Sequence, residues 1–169
     1  DTWKSRGLGD VYKRQPLNYE EIPKDLIDAL IATEDERFYS HSGIDLRSTM
    51  RAIIYLGEKG GASTVSQQLA RQLFTGVRSR NTLDAVIQKI KEWVIAIQLE
   101  RRYSKKEIIT MYLNLYDFNY NADGLRSAAN IYFSKEPSDL LLEESAMLVG
   151  MLKNSSLYNL SLIHISEPT

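Results

Sequence analysis

Apolar residues recur at helical spacing along most of the chain, and no stretch alternates as a half-buried strand would. Leu26, Ile27, Ala29, Leu30 and Ile31 follow Ile22-Pro23, which predicts a helix with proline in its first turn that ends close to Thr33. Asp45 is a suitable N-cap for a second helix, with Leu46, Met50, Ile53 and Ile54 at core spacing and a stop near Gly57. After a Gly60-Gly61 loop, Thr64 and Gln67 have the spacing of a capping box, and Val65, Leu69 and Leu73 are expected to face inward. A basic, polar connection, Gly76 to Asn81, is expected to be mobile and leads into the longest element, a helix over Thr82–Arg101. Ser104 and Glu107 form another capping-box pair ahead of Ile108, Met111, Tyr112 and Leu115. Tyr116 to Gly124 reads as a loop, followed by helices over Leu125–Phe133 and Leu140–Lys153 with Glu136-Pro137 between them. The fold class is all-α with short connections.

The long helix carries the most informative pattern. At about 100° per residue, Leu83, Val86, Ile87, Ile90, Val94 and Ile97 share one apolar face, and Glu92 points the other way. Its neighbours there, Ala85, Lys89, Ala96 and Leu99, are mostly small or apolar rather than the mixed charges of a solvated face. Glu92 therefore reads either as a cleft-lining acid or as an exposed residue paired with Lys89 or Gln88.

A second dense stretch, Ala32 to Gly43, reads A-T-E-D-E-R-F-Y-S-H-S-G. One of its acids could serve as a general base beside a hydroxyl, with the others fixing an Arg or a helix N-terminus; the same run also suits a solvated turn. His41, three residues after Phe38, is favoured as a structural hydrogen-bond donor over a base or ligand. Glu36 and Arg37 read as ordinary surface residues.

Composition, 43% hydrophobic and 25% charged over 169 residues, fits one globular domain of ordinary size. The two ends change that picture. Asp10 to Gln15 can be encoded by GAT-GTG-TAT-AAG-AGA-CAG, whose reverse complement encodes Leu160 to Ile165, and the relation continues for the next four codons at each end. Two protein segments have no structural reason to be so related, and the nucleotide string resembles a transposase-type sequencing adapter. Residues 1–15 and 160–169 are accordingly expected to be translated adapter, leaving 16–159 as a natural fragment cut on both sides. That part holds 17 basic and 19 acidic residues, net −2, and His41 as its only histidine. No overall polycation suggests nucleic acid. The charge is uneven, however: Pro16 to Ala70 has five basic and nine acidic residues, Arg71 to Lys106 nine basic and three acidic. The absence of cysteine excludes a disulfide framework or thiolate metal site, and no run of about 18 apolar residues is present.

If the Gln-rich helix packs beside the long one, Arg71, Arg78, Arg80, Lys89 and Lys91 surround the far side of one cleft. Cations beside a Ser/Thr-rich helix start suit a phosphate or pyrophosphate.

Five stretches together carry a family resemblance: A-T-E-D-x-x-F-Y-x-H-x-G-I-D at Ala32 to Asp45, G-A-S-T-V-S-Q-Q-L-A-R at Gly61 to Arg71, K-x-x-E-W at Lys89 to Trp93, L-E-x-x-Y-S-K-x-E-I at Leu99 to Ile108, and A-A-x-x-Y-F-x-K at Ala128 to Lys135. In this order and spacing they resemble the peptidoglycan glycosyltransferases, glycosyltransferase family 51: the polymerase domain of class A penicillin-binding proteins and their monofunctional relatives. The resemblance implies a lysozyme-like helical fold that polymerises lipid II into β-1,4-linked glycan strands, inverting at the anomeric carbon, on the outer (periplasmic) face of the bacterial cytoplasmic membrane. It implies Glu34 as general base, and Glu92 as a second acid that assists pyrophosphate departure directly or through a divalent cation such as Mg²⁺. Gln68, Arg71 and Lys89 match donor- or acceptor-contacting positions, with Ser63, Thr64 and Gln67 lining the same groove, while Asp35, Phe38 and His41 would support the loop that carries Glu34. Implied partners are lipid II, the growing glycan strand, the membrane surface and proteins of cell-wall synthesis. Gln88 stands where the family usually has an Arg, Gln72 replaces a common Asn, and Asp117 to Asp123 departs from the usual Gly- and Tyr-rich loop. The family's membrane anchor is missing from the sequence, and such a fragment need not be active.

The physical reading is compatible: pyrophosphate leaves with negative charge, so cations assist it more than a strong acid does. The main rival is a lysozyme-like muramidase or lytic transglycosylase, which would use a Glu but need no cationic leaving-group site. A non-catalytic helical module that binds membrane or protein is the third reading.

Overall fold

Every regular element among the described residues is helical, and their boundaries follow the capping chemistry closely. The structure, a computed structural model, describes residues 16–55, 63–76 and 81–153. The termini expected to be adapter-encoded, Gly57, the Gly60-Gly61 loop, Arg78 and Arg80 lie outside the described residues. The α-helices are α1 (Lys24–Glu34), α2 (Leu46–Ile54), α3 (Val65–Ala70), α4 (Thr82–Arg102), α5 (Lys105–Leu115), α6 (Gly124–Phe133) and α7 (Leu142–Lys153). Short 3₁₀ turns cover Tyr19–Glu21, Phe38–Ser40 and Pro137–Asp139, and a π-turn, Arg71–Thr75, continues directly from α3. The π-turn was not expected from the sequence. No described helix is long and apolar enough to cross a membrane.

The caps behave as their side chains dictate. Asp45 Oδ1 accepts from the backbone N–H groups of Arg47 (3.1 Å) and Ser48 (3.2 Å) at the start of α2. Ser104 and Glu107 close a reciprocal box ahead of α5: the Ser104 N–H donates to Glu107 Oε2 at 2.7 Å and the Glu107 N–H to Ser104 Oγ at 3.3 Å. At α3 only half of the expected box forms. Thr64 Oγ1 accepts from the Gln67 N–H at 3.2 Å, but the Gln67 amide turns away to the carbonyl of Gly43.

The described residues cluster into two units, one from 16–33 and 113–153 and the other within 34–112. In the first, Leu17, Leu26, Leu30, Phe118, Leu125, Leu148 and Met151 are among the buried apolar residues. Asn114 ties down Leu17 by accepting from its N–H (2.9 Å) and donating to its carbonyl (3.0 Å). The loop before α6 is pinned by an antiparallel bridge between Asp117 and Asp123, and it turns through three left-handed residues, Asn119, Tyr120 and Asn121.

In the second unit Phe38, Val65, Leu69, Ala96, Ile108, Ile109 and Tyr112 are fully buried. α3 packs on α4, as a cleft between the Gln-rich and long helices requires. The face of α4 that closes is the one bearing Glu92, Ala96 and Leu99, all 8% exposed or less; the apolar face is open, with Leu83 74% and Ile90 52% exposed. Leu46, Met50 and Ile54 of α2 and Leu73 of the π-turn, all expected in the core, are likewise exposed. Periodicity shows which residues share a face, but not which face the chain covers. Here the small residue Ala96 and the ion-paired Glu92 let other backbone approach, whereas the branched side chains opposite do not.

Candidate active site

The site is built on the second unit, where a loop, a short helix and one face of α4 converge. Glu34 is the last residue of α1, half-buried, and its Oε2 accepts from Gln68 Nε2 at 2.9 Å. Three residues on from Gln68, Arg71 reaches Glu92: Nε donates to Oε1 at 2.9 Å and Nη2 to Oε2 at 3.3 Å. The two carboxylates are thus fastened to positions separated by roughly 4.5 Å of helix rise. Lys89 donates to Glu92 Oε2 at 3.1 Å and to Ser63 Oγ at 2.7 Å, and Thr75 Oγ1 lies 3.5 Å from Glu92 Oε1. Thr75 belongs to the π-turn, which closes through the Gly76 N–H to the Arg71 carbonyl at 2.9 Å. Such wide turns often mark functional positions.

The Glu92 side chain is only 3% exposed. Burial alone would push its pKa up, but hydrogen bonds from Arg71 and Lys89, together with their charges, hold it below the usual carboxylate value. It is therefore ionised, and both oxygens face cations. Two positive groups around one negative group leave a net charge of about +1, suited to an entering anion.

The loop beneath Glu34 is held by a chain of polar contacts. His41 Nε2 lies 3.0 Å from both oxygens of Asp35, and His41 Nδ1 accepts from the Gly43 N–H at 3.2 Å, which fixes the Nε2–H tautomer. Asp35 Oδ2 also accepts from the Val65 N–H at 2.9 Å, adding an anion at the start of α3. Phe38, fully buried, meets the His41 ring edge-on and carries the Lys105 ammonium 4.3 Å from its centroid.

Comparison with known proteins places the chain in a family. A family model described as "Transglycosylase" matches residues 4–165. The chain belongs to the transglycosylase family. It is 42% identical over 151 residues to penicillin-binding protein 1F of Bacillus subtilis, covering 86% of this chain and 20% of that protein. It is 43% identical over 151 residues to penicillin-binding protein 1A of Vibrio cholerae, covering 87% and 18%, and 40% identical over 156 residues to penicillin-binding protein 2a of Streptococcus pneumoniae, covering 92% and 21%. The chain thus spans about a fifth of the length of these curated relatives.

Within this transglycosylase domain the side chains form two polar clusters, Glu34 with Gln68 and Tyr112, and Arg71 with Glu92, Lys89 and Ser63, joined through the backbone that runs from Gln68 to Arg71. Thr64 and Gln67 do not line an open groove. Both are buried, and Thr64 Oγ1 (2.7 Å) and Gln67 Nε2 (3.3 Å) donate to the Gly43 carbonyl, so they brace the loop instead. Arg37 is not an idle surface residue either, since it donates to Asp45 (2.5 Å) and Ser48 (3.0 Å). Gln88, at the position of the family's Arg, donates to the Thr75 carbonyl at 3.4 Å and so steadies the π-turn; Lys91 is exposed.

Sequence reasoning missed three contributors. Glu100 accepts from Ser66 Oγ (2.5 Å) and from Lys105 Nζ (2.7 Å), and Lys105 also donates to the His41 carbonyl (2.7 Å). The signal for Glu100 was its i+4 spacing from Ala96 and i+8 spacing from Glu92. Tyr112 donates to Gln68 Oε1 at 3.0 Å, but its helical spacing made it look like core alone.

Proposed function

We propose that this domain polymerises lipid II into β-1,4-linked glycan, with Glu34 as general base. The observation that carries the proposal is the tethering of both carboxylates to one continuous helical segment, Glu34 to α3 through the Gln68 amide and Glu92 to the adjoining π-turn through the Arg71 guanidinium. Glu34 takes the proton of the acceptor 4-hydroxyl as its oxygen bonds to the donor anomeric carbon from the face opposite the leaving group. The bond from that carbon to the pyrophosphate oxygen breaks, and its electron pair leaves with the pyrophosphate. Arg71 and Lys89 stabilise the developing charge.

Glu92 orients those two cations. Its lowered pKa leaves it without the proton a general acid would donate. A divalent cation held by Glu92 does not fit the donor set. Both oxygens face ammonium or guanidinium groups, and no three His, Cys, Asp or Glu residues among those described gather as a cage.

The open apolar faces of α2 and α4 support action at a membrane surface, where lipid-linked substrate is presented, on the extracytoplasmic side of a bacterial membrane. Proteins of cell-wall synthesis are its expected partners. Incubation with lipid II tests the chemistry. Glu34→Gln is expected to abolish glycan formation without unfolding the domain, and Arg71→Met or Lys89→Met to lower turnover by roughly a hundredfold. Near-normal turnover by Glu34→Gln, or digestion of finished peptidoglycan by the wild-type chain, sinks the proposal.

A further inference from the structure

Tyr112 has no role in the chemistry above, yet its side chain is fully buried and its hydroxyl reaches into the site. A buried phenol requires a hydrogen-bond partner, and Gln68 Oε1, at 3.0 Å, is one. The same amide donates from Nε2 to Glu34 Oε2 at 2.9 Å. A primary amide has two nearly isosteric ends, one donor and one acceptor, so its useful orientation must be imposed by a neighbour. The Glu34 carboxylate can only accept and so takes the NH₂ end, and the phenol, which can donate or accept, donates to the carbonyl end that remains.

We propose that Tyr112 is a positioning residue that acts through Gln68: its O–H anchors the amide carbonyl and so holds the N–H in place against the Glu34 carboxylate. Without the hydroxyl, the amide loses that anchor and its side chain can move. Glu34 would then lose a fixed hydrogen-bond donor and would swing away from the line along which it takes the acceptor proton. Position on that line governs turnover more than it governs substrate binding. The inference rests on Glu34 being the base.

The test compares Tyr112→Phe, Gln68→Ala and the double variant. With lipid II, Tyr112→Phe is expected to lower kcat roughly tenfold with KM changed less than about twofold. Gln68→Ala should lower kcat at least as much, and adding Tyr112→Phe to it should do nothing further, because the residue it acts through is gone. The Gln68 side-chain amide signals in a ¹⁵N–¹H spectrum, assigned by their loss in Gln68→Ala, give a readout independent of turnover. Both Tyr112→Phe and Glu34→Gln should shift them and speed their exchange with water. A Tyr112→Phe protein with unchanged amide signals overturns the proposal, as do losses that multiply in the double variant. If Tyr112→Phe does not fold, wild-type kcat in Gln68→Ala overturns it and a tenfold loss supports it. Glu34→Gln separates the two ideas: normal turnover there removes the base itself, whereas its inactivity beside a fully active Tyr112→Phe removes only the relay.

Discussion

Gly43 is fixed by three constraints at once. Its φ of +95° lies in the left-handed region, a Cβ there would sit 2.8 Å from the backbone carbon and oxygen of Ala96, and its carbonyl accepts from Thr64 and Gln67. The first constraint excludes most side chains by strain and the second excludes any side chain by contact with backbone, which cannot rotate away. Gly43→Ala should therefore cost about 2–4 kcal/mol, read from the urea midpoint. Ala96→Gly in the same chain should not restore it, because the clash is with the peptide of residue 96 rather than its methyl group. Rescue by Ala96→Gly would mean that side-chain crowding, not backbone approach, sets the limit. Because His41 and Thr64 both bond to Gly43, the same substitution should loosen the loop beneath Glu34.

Among the elements, α2 offers the clearest link between charge and stability. Burial pushes the Asp45 carboxyl up, but hydrogen bonds from the Arg37 guanidinium and the Ser48 backbone, with the Arg37 charge, more than offset this and bring it down to about 2 from an ordinary 3.8. A depressed folded-state pKa adds stability that is complete above the unfolded value and is lost as pH falls through the folded one. The contribution is on the order of 1–2 kcal/mol after allowance for the partly exposed Arg37. Wild type should thus exceed Asp45→Asn in unfolding free energy at pH 6, and the gap should close between about pH 4 and pH 2; a gap constant with pH would assign the difference to shape instead. The Asp45 cap was legible in the sequence because it depends on a local side chain and its next three residues, as was the Ser104–Glu107 box. The closed face of α4 was legible in the small residues beside Glu92. The exposure of Leu46, Met50 and Leu83 was not, since a helix's own periodicity contains no information on what packs against it. The π-turn and the Tyr112 contact were hidden for a related reason: each depends on residues distant in sequence, or on a one-residue change of pitch with no compositional mark.

At the scale of the whole molecule, the net charge of −1 conceals a division of labour between a cationic site and two open apolar helix faces. Leu83, Val86, Ile87, Ile90 and Val94 are each more than half exposed on α4, so burying them in a lipid interface would recover apolar area that folding leaves in water. The chain is expected to sediment with anionic phospholipid vesicles. Ile87→Ser with Ile90→Ser should reduce that partitioning roughly tenfold while shifting thermal stability little, since neither residue lies in the core. Equal sedimentation of the double variant would place the lipid contact elsewhere. A last consequence concerns which changes of chain length the protein can absorb. The π-turn at Arg71–Thr75 holds one residue more than the α-turn it replaces. Loss of one residue there leaves a continuous ordinary helix, whereas loss of one between Lys89 and Glu92 turns the acid about 100° away from its cations. A one-residue deletion is thus better absorbed in the wide turn after Arg71 than between Lys89 and Glu92, the interval that must keep its count.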